Sequence, residues 1–158
     1  MENKIQKMLE QALDLAEEQE YDEAILIYNK ILKINPNNMN AIIDKATTLQ
    51  RLGKNSLALT LYEKALKNEP KNIDALIGKG STLHAQKKFS NAIEFYNIAL
   101  KIDPKFPVAL AYKGLSLGEQ GKIKDALSLF KKALSIDKNY DLALISKQKA
   151  LELLKSKK

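Results

Sequence analysis

Residues Ile73–Pro104 read IDALIGKGSTLHAQKKFSNAIEFYNIALKIDP, and the spacing within this stretch decides the fold. Leu76, Lys79, Gly80 and Leu83 recur at i, i+3, i+4 and i+7, which is one stripe of an amphipathic helix. Gln86-Lys87-Lys88 interrupts that stripe. A second stripe follows in Phe89, Ala92, Ile93, Tyr96, Ala99 and Leu100. Asp103-Pro104 ends it, because proline lacks an amide donor and biases the residue before it away from helix. The small residues Gly80 and Ala92 predict close approach of the two helices, with Tyr96 filling the space beside them.

The same pattern recurs outward in both directions at a step of 34 residues. Pro36, Pro70 and Pro104 keep the step, as do Ala24, Ala58, Ala92 and Ala126. So do Leu15, Leu49, Leu83, Leu117 and Leu151, and Leu32, Leu66, Leu100 and Leu134. Tyr28, Tyr62 and Tyr96 are followed in register by Phe130. Asp22, Ser56 and Ser90 fall one step apart and are expected to cap the second helices. Pro107 opens a first helix, where proline is tolerated.

A helical pair of this length and pattern resembles the tetratricopeptide repeat. The family's early aromatic is absent, but Met8, Ile42, Leu76 and Leu110 keep an apolar residue there. Its Leu-Gly pair becomes Gln11-Ala12, Lys45-Ala46, Lys79-Gly80 and Lys113-Gly114. Its later Ala, aromatic, Ala and Pro stand at Ala92, Tyr96, Ala99 and Pro104. The resemblance divides the chain into repeats at 5–38, 39–72, 73–106 and 107–140, with a capping helix and tail at 141–158. It implies an all-α, right-handed superhelical solenoid of antiparallel helix pairs, whose first helices line a concave groove. In the last helix Leu144 and Leu151 are expected to pack inward, and Gln148 to give the polar outer face that stops stacking.

By that analogy the groove is lined by Leu9, Leu13, Ile43, Asp44, Thr47, Asp74, Ile77, Ser81, His84, Val108, Tyr112, Leu115, Ile145 and Lys149. Some family members clamp a peptide's terminal carboxylate with Lys, Asn and Arg. The matching positions here are Leu9, Leu13, Asp44, Asp74 and Gly78, or one repeat later Ile43, Thr47, Gly78, Val108 and Tyr112. Neither set offers a cation or an Asn, and Asp44 and Asp74 would repel a carboxylate. Ile43, Ile77, Ala111, Leu115 and Ile145 instead suit an apolar partner segment carrying some Lys or Arg. The bland reading is that these residues pack neighbouring first helices. His84 reads as an ordinary exposed imidazole, and Lys45, Lys79, Lys113 and Lys147 as stems covering the helix pairs.

Composition narrows the function further. The 158 residues contain no Cys, no Trp and one His, which excludes disulfides, thiol chemistry and a two-His metal site. The longest apolar runs, Ala24 to Tyr28 and Val108 to Tyr112, are far shorter than the roughly 20 residues of a membrane helix. No apolar stretch follows Met-Glu-Asn-Lys, so no secretory signal is read and the cytoplasm is the expected location. The net charge of +7 is uneven, with −4 over residues 1–38 and a positive balance in every later repeat. A basic face could meet nucleic acid, but Arg51 is the one arginine and no aromatic is interleaved with a basic cluster. No acid/base carboxylate pair, phosphate loop or nucleophile–His pair is present, so no enzyme activity and no cofactor are expected. The expectation is a protein-binding scaffold, with self-association through Leu142, Ile145 and Leu153 of the last helix as the alternative.

Overall fold

The computed structural model describes residues 2–156, which form helices joined by short turns, with no strand among them. The chain divides into two compact units, Met1–Thr82 and Leu83–Lys158. Unit 1 holds α1 (Glu2–Glu17), α2 (Tyr21–Ile34), α3 (Met39–Arg51), α4 (Asn55–Asn68) and most of α5 (Ile73–Ala85). Unit 2 holds the end of α5, then α6 (Phe89–Ile102), α7 (Pro107–Glu119), α8 (Ile123–Ile136) and α9 (Asp141–Ser156).

Within unit 1, α1 packs on α2, α2 on α3, α3 on α4, and α1 also meets α3. Within unit 2 the same scheme joins α6 to α7, α7 to α8, α8 to α9, and α7 to α9. The all-α class is as expected, and the pairs α1–α2, α3–α4 and α7–α8 are packed, with α9 set on α8. Each junction is centred on an aromatic of the 34-residue row: Tyr28, Tyr62 and Tyr96 are at most 1% exposed and Phe130 is 3% exposed. The alanines one turn before them, Ala24, Ala58, Ala92 and Ala126, are equally buried and let the helices close on the ring.

Two glycines show how tight this packing is. A Cβ on Gly78 would run into the Tyr62 ring, with Oη only 2.6 Å away. A Cβ on Gly114 would lie 2.6 Å from Cε1 of Phe130. Tyr62 thus presses on the first helix of the next pair, and Phe130 on the first helix of its own.

The turns inside each pair share one device. Gln19, Gly53, Lys87 and Gly121 stand one step apart, and all four have positive φ, from 61° to 78°. The following amides, Glu20, Lys54, Lys88 and Lys122, donate to the carbonyls of Leu15, Leu49, Leu83 and Leu117 at 2.8 to 3.0 Å. This left-handed residue with its long back-bond is a helix C-terminal lock. It also corrects the expected caps. Helices α2, α4, α6 and α8 start at Tyr21, Asn55, Phe89 and Ile123, and their cap positions Glu20, Lys54, Lys88 and Lys122 make no side-chain cap bond. Asp22, Ser56 and Ser90 lie inside the first turn, because the lock already fixes the chain's approach to each helix. Side-chain caps occur at first helices instead. Asn38 Oδ1 accepts from the Ala41 amide at 2.9 Å, and Asn72 Oδ1 from the Ala75 amide at 3.0 Å. Helix α7 has Pro107 at its start, as expected, and no side-chain cap from Phe106.

The final helix departs from expectation at one position. Leu144 is 43% exposed, whereas Ala143, Ser146 and Ala150 face the core. Leu151 packs against the cluster around Phe130 and Leu127, and Gln148 is exposed, with Nε2 donating to Glu152 at 2.9 Å.

Candidate interaction surface

In unit 1 the sequence-selected residues separate by burial. Leu9 is 4% exposed and belongs to the core with Ala12 and Tyr28, so a partner cannot reach it. Leu13, four residues on, is 42% exposed. Ile43 and Ile77 are half-buried, and Ile43 leans on the core around Tyr62. Thr47 and Ser81 are held by the fold. Thr47 Oγ1 donates to the Ile43 carbonyl at 3.1 Å and pairs with the Tyr62 hydroxyl at 3.0 Å. Ser81 Oγ donates to the Gly78 carbonyl at 3.0 Å and accepts from Gln50 Nε2 at 3.0 Å.

The chemistry of unit 1 centres on Asp44. Its carboxyl is half-buried, and burial, together with the Asp74 carboxylate, pushes it up to about 6. Among the described residues neither Asp44 nor Asp74 forms an ion pair; the pair recorded in this unit is Lys79 with Glu63 at 3.1 Å. Near Asp44 lies the buried Tyr28 hydroxyl, pushed up to about 12 by burial and by the Asp44 charge. The Thr48 hydroxyl eases this in part without closing a hydrogen bond to Tyr28. Arg51 is turned toward α1, where Nη1 donates to the Ala16 carbonyl at 3.5 Å. The lysine row stays close to the helices: Lys45 and Lys79 are half-buried, and burial lowers the Lys45 ammonium.

In unit 2 the largest correction concerns His84. It is half-buried, with Nδ1 2.8 Å from Ser116 Oγ and its ring edge-on to Phe89 at 5.1 Å. Burial lowers its pKa, against the opposing Glu119 charge, so the ring is neutral near pH 7. It is a packed, bonded side chain and not an ordinary exposed one. Tyr112 is half-buried, its ring 6.0 Å from that of Tyr96. Val108 and Leu115 are half-buried, Lys149 is exposed and Ile145 is 68% exposed.

Sequence reasoning overlooked a cleft of about 320 Å³ in unit 2, between α7, α8 and α9. Gly118 and Leu115 form one wall, Ala126 and Phe130 the floor, and Ala150 and Leu153 the other wall. The signal was present in the row Ala16, Gln50, His84, Gly118, where the side chain disappears at the last step. Among the described residues no cluster of three metal-ligating side chains occurs, and no helix is long and apolar enough to cross a membrane.

Comparison with known proteins agrees with this architecture. No curated protein sequence is matched. Among solved structures, the chain is similar to PilF of Pseudomonas aeruginosa, with a TM-score of 0.87 at 21% identity over 98% of this chain and 71% of that one. It is also similar to TTC0263, a thermophilic TPR protein of Thermus thermophilus, with a TM-score of 0.79 at 20% identity over 94% and 90%. A third likeness is to the first TPR of Spaghetti (RPAP3) bound to the HSP90 peptide SRMEEVD, with a TM-score of 0.69 at 21% identity over 73% and 92%. Family models described as tetratricopeptide repeat match residues 43–107, and residues 15–38 and 109–140. The chain therefore belongs to the tetratricopeptide-repeat family.

Proposed function

We propose that this chain is a non-enzymatic scaffold that binds a protein segment carrying apolar anchors and Lys or Arg side chains. The observation that carries this reading is the Asp44–Asp74 pair on unit 1, which forms no ion pair among the described residues, with Asp44 next to the half-buried Ile43 and Asp74 three residues before the half-buried Ile77. A half-buried carboxylate without an opposite charge is costly, and a cation delivered by a ligand would offset that cost. Apolar contact would supply most of the affinity, and the carboxylates would set orientation and selectivity. The contrast with the RPAP3 domain is informative. That domain is bound to the acidic-ended peptide SRMEEVD, whereas the proposed binding face here carries acids of its own.

The test is a peptide array in which apolar and basic positions vary independently, read with the wild-type chain and with Asp44→Asn, Ile77→Asp and Tyr112→Ala. Basic-apolar peptides should bind, and Asp44→Asn should weaken them about tenfold, a change worth about 1.4 kcal/mol. Preference for acidic peptides, or full retention of every partner by folded Asp44→Asn and Ile77→Asp chains, would sink the reading.

A second reading has its own observation. Ile145 is 68% and Leu153 39% exposed on α9, an apolar surface that a second copy could cover. Light scattering of the full chain against Ile145→Glu tests it, since association through α9 should vanish in that variant.

A further inference from the structure

The junctions of the two units share one layout but are finished differently. In unit 1, Gln50 reaches from α3 to α5: Nε2 donates to Ser81 Oγ at 3.0 Å, and Oε1 accepts from the Tyr62 hydroxyl at 3.4 Å. One step later, in unit 2, His84 reaches α7 through its 2.8 Å contact with Ser116 Oγ and covers Phe89. Each side chain plugs the space at its junction. At the next step the plug is missing, because the position is Gly118. Two further exchanges accompany that loss. The hydroxyl row Thr48, Thr82, Ser116 ends at Ala150, and the ring row Tyr28, Tyr62, Tyr96 ends at Phe130. Three polar groups disappear together, and the cleft beside Gly118 is what remains.

Packing does not demand this glycine. A Cβ on Gly118 would meet only the Ala126 methyl, at 3.9 Å, whereas one on Gly114 would strike Phe130. Among the lining side chains, Ser146, Glu119 and Lys149 carry polar groups. Leu115, Phe130, Ala150 and Leu153 present carbon instead. At about 320 Å³ the cleft lies at the lower end of the range for ligand clefts, roughly 300–1,000 Å³. Glu119 and Lys149 also line it, one on α7 and one on α9, with opposite charges. A fatty carboxylate would pair with Lys149 but leave Glu119 unmatched, whereas a peptide can offer a cation to Glu119 and an anion to Lys149.

We infer that the cleft beside Gly118 is an anchor pocket for one large apolar side chain, Phe or Leu, of a partner protein segment. A basic neighbour of the anchor would face Glu119, and an acidic neighbour would face Lys149. This rests on the reading of the chain as a binder of protein segments, and it adds the residue class recognised by unit 2.

The test titrates the full chain with the blocked tripeptide acetyl-Lys-Phe-Glu-amide, following the methyl resonances of Leu115, Ala126, Ala150 and Leu153 by NMR. Acetyl-Lys-Ser-Glu-amide is the control. Saturable shifts at these methyls are expected with the Phe peptide, at least tenfold weaker with the Ser peptide. The double variant Gly118→His with Ala150→Ser transplants the imidazole–hydroxyl plug from the preceding junction. It should weaken the Phe peptide at least tenfold while keeping the wild-type circular dichroism. If that variant does not fold, Leu153→Asp, at a 39% exposed site, should produce the same loss. Absent shifts, equal response to the Ser peptide, or undiminished binding by a folded plugged variant would overturn the inference. So would light scattering that shows a dimer abolished by the plug, since the occupant would then be a second copy. Within the array, the comparison of Asp44→Asn with wild type changes unit 1 alone, so the two claims fail separately.

Discussion

In unit 1 the space above Tyr62 is filled by Gln50, and the ring hydroxyl is satisfied by Thr47 and Gln50. In unit 2 the space above Phe130 is left open by Gly118, and that ring has no hydroxyl to satisfy. The two junctions share one sequence pattern, so their difference separates what the fold needs from what it merely permits. The fold needs a large ring against a small residue on a first helix. It permits, above the ring, either a polar plug or an apolar cleft.

The largest effect should come from violating the need. Gly78→Val would drive its side chain into the Tyr62 ring and should cost about 3 kcal/mol in chemical denaturation. A loss below about 1 kcal/mol would mean that Tyr62 can swing away and that the ring-on-glycine contact does not organise unit 1. Next is Asp44. Its folded-state value lies above the ordinary carboxylate value near 4, so its ionisation opposes folding. The penalty is absent below about pH 4, where both states are protonated, and grows to its full size above about pH 6. Asp44→Asn should therefore stabilise the chain by about 1–2 kcal/mol near pH 8 and leave it unchanged near pH 3. Equal gains at both pH values would show that the charge is not the cause. A basic peptide on unit 1 should bind more tightly as pH rises through about 6, because it favours the ionised form.

Smaller effects probe the helix ends. Asn72→Ala removes the bond from the Ala75 amide and should cost about 1 kcal/mol, whereas α7, begun by Pro107, has no such bond to lose. Lys87→Gly relieves a positive φ of 61° and should gain about 0.5–1 kcal/mol in thermal melts. Gly118→Ala should be neutral or gain about 0.5 kcal/mol, because the added methyl meets only Ala126. A clear loss there would place Gly118 with Gly78 and Gly114, among the glycines that packing requires.

The 34-residue rows made the helix pairs legible, because small and aromatic residues at fixed steps leave few ways to pack. They could not show that Tyr62 presses on Gly78, since that contact joins different repeats and depends on how the pairs stack. Gln19 and Lys87 concealed the left-handed turns that Gly53 and Gly121 would suggest alone. The groove positions were read as a pattern of exposure, and exposure follows from neighbours that a single helix does not contain. Leu9 therefore reads as a groove residue although it is core, and His84 as an exposed imidazole although Ser116 and Phe89 hold it. The sequence places Asp44 in the groove as an acid but does not reveal its burial. Its burial comes from the helices around it.

The locked turns have a consequence for exchange with solvent. Lys54, Lys88 and Lys122 are exposed side chains in short turns, where fast amide exchange would ordinarily be expected. Each of their amides is nevertheless committed to a carbonyl five residues back. In deuterium labelling these amides should be as slow as those inside the helices they follow. The first sites to exchange should instead be the wider connections between one pair and the next.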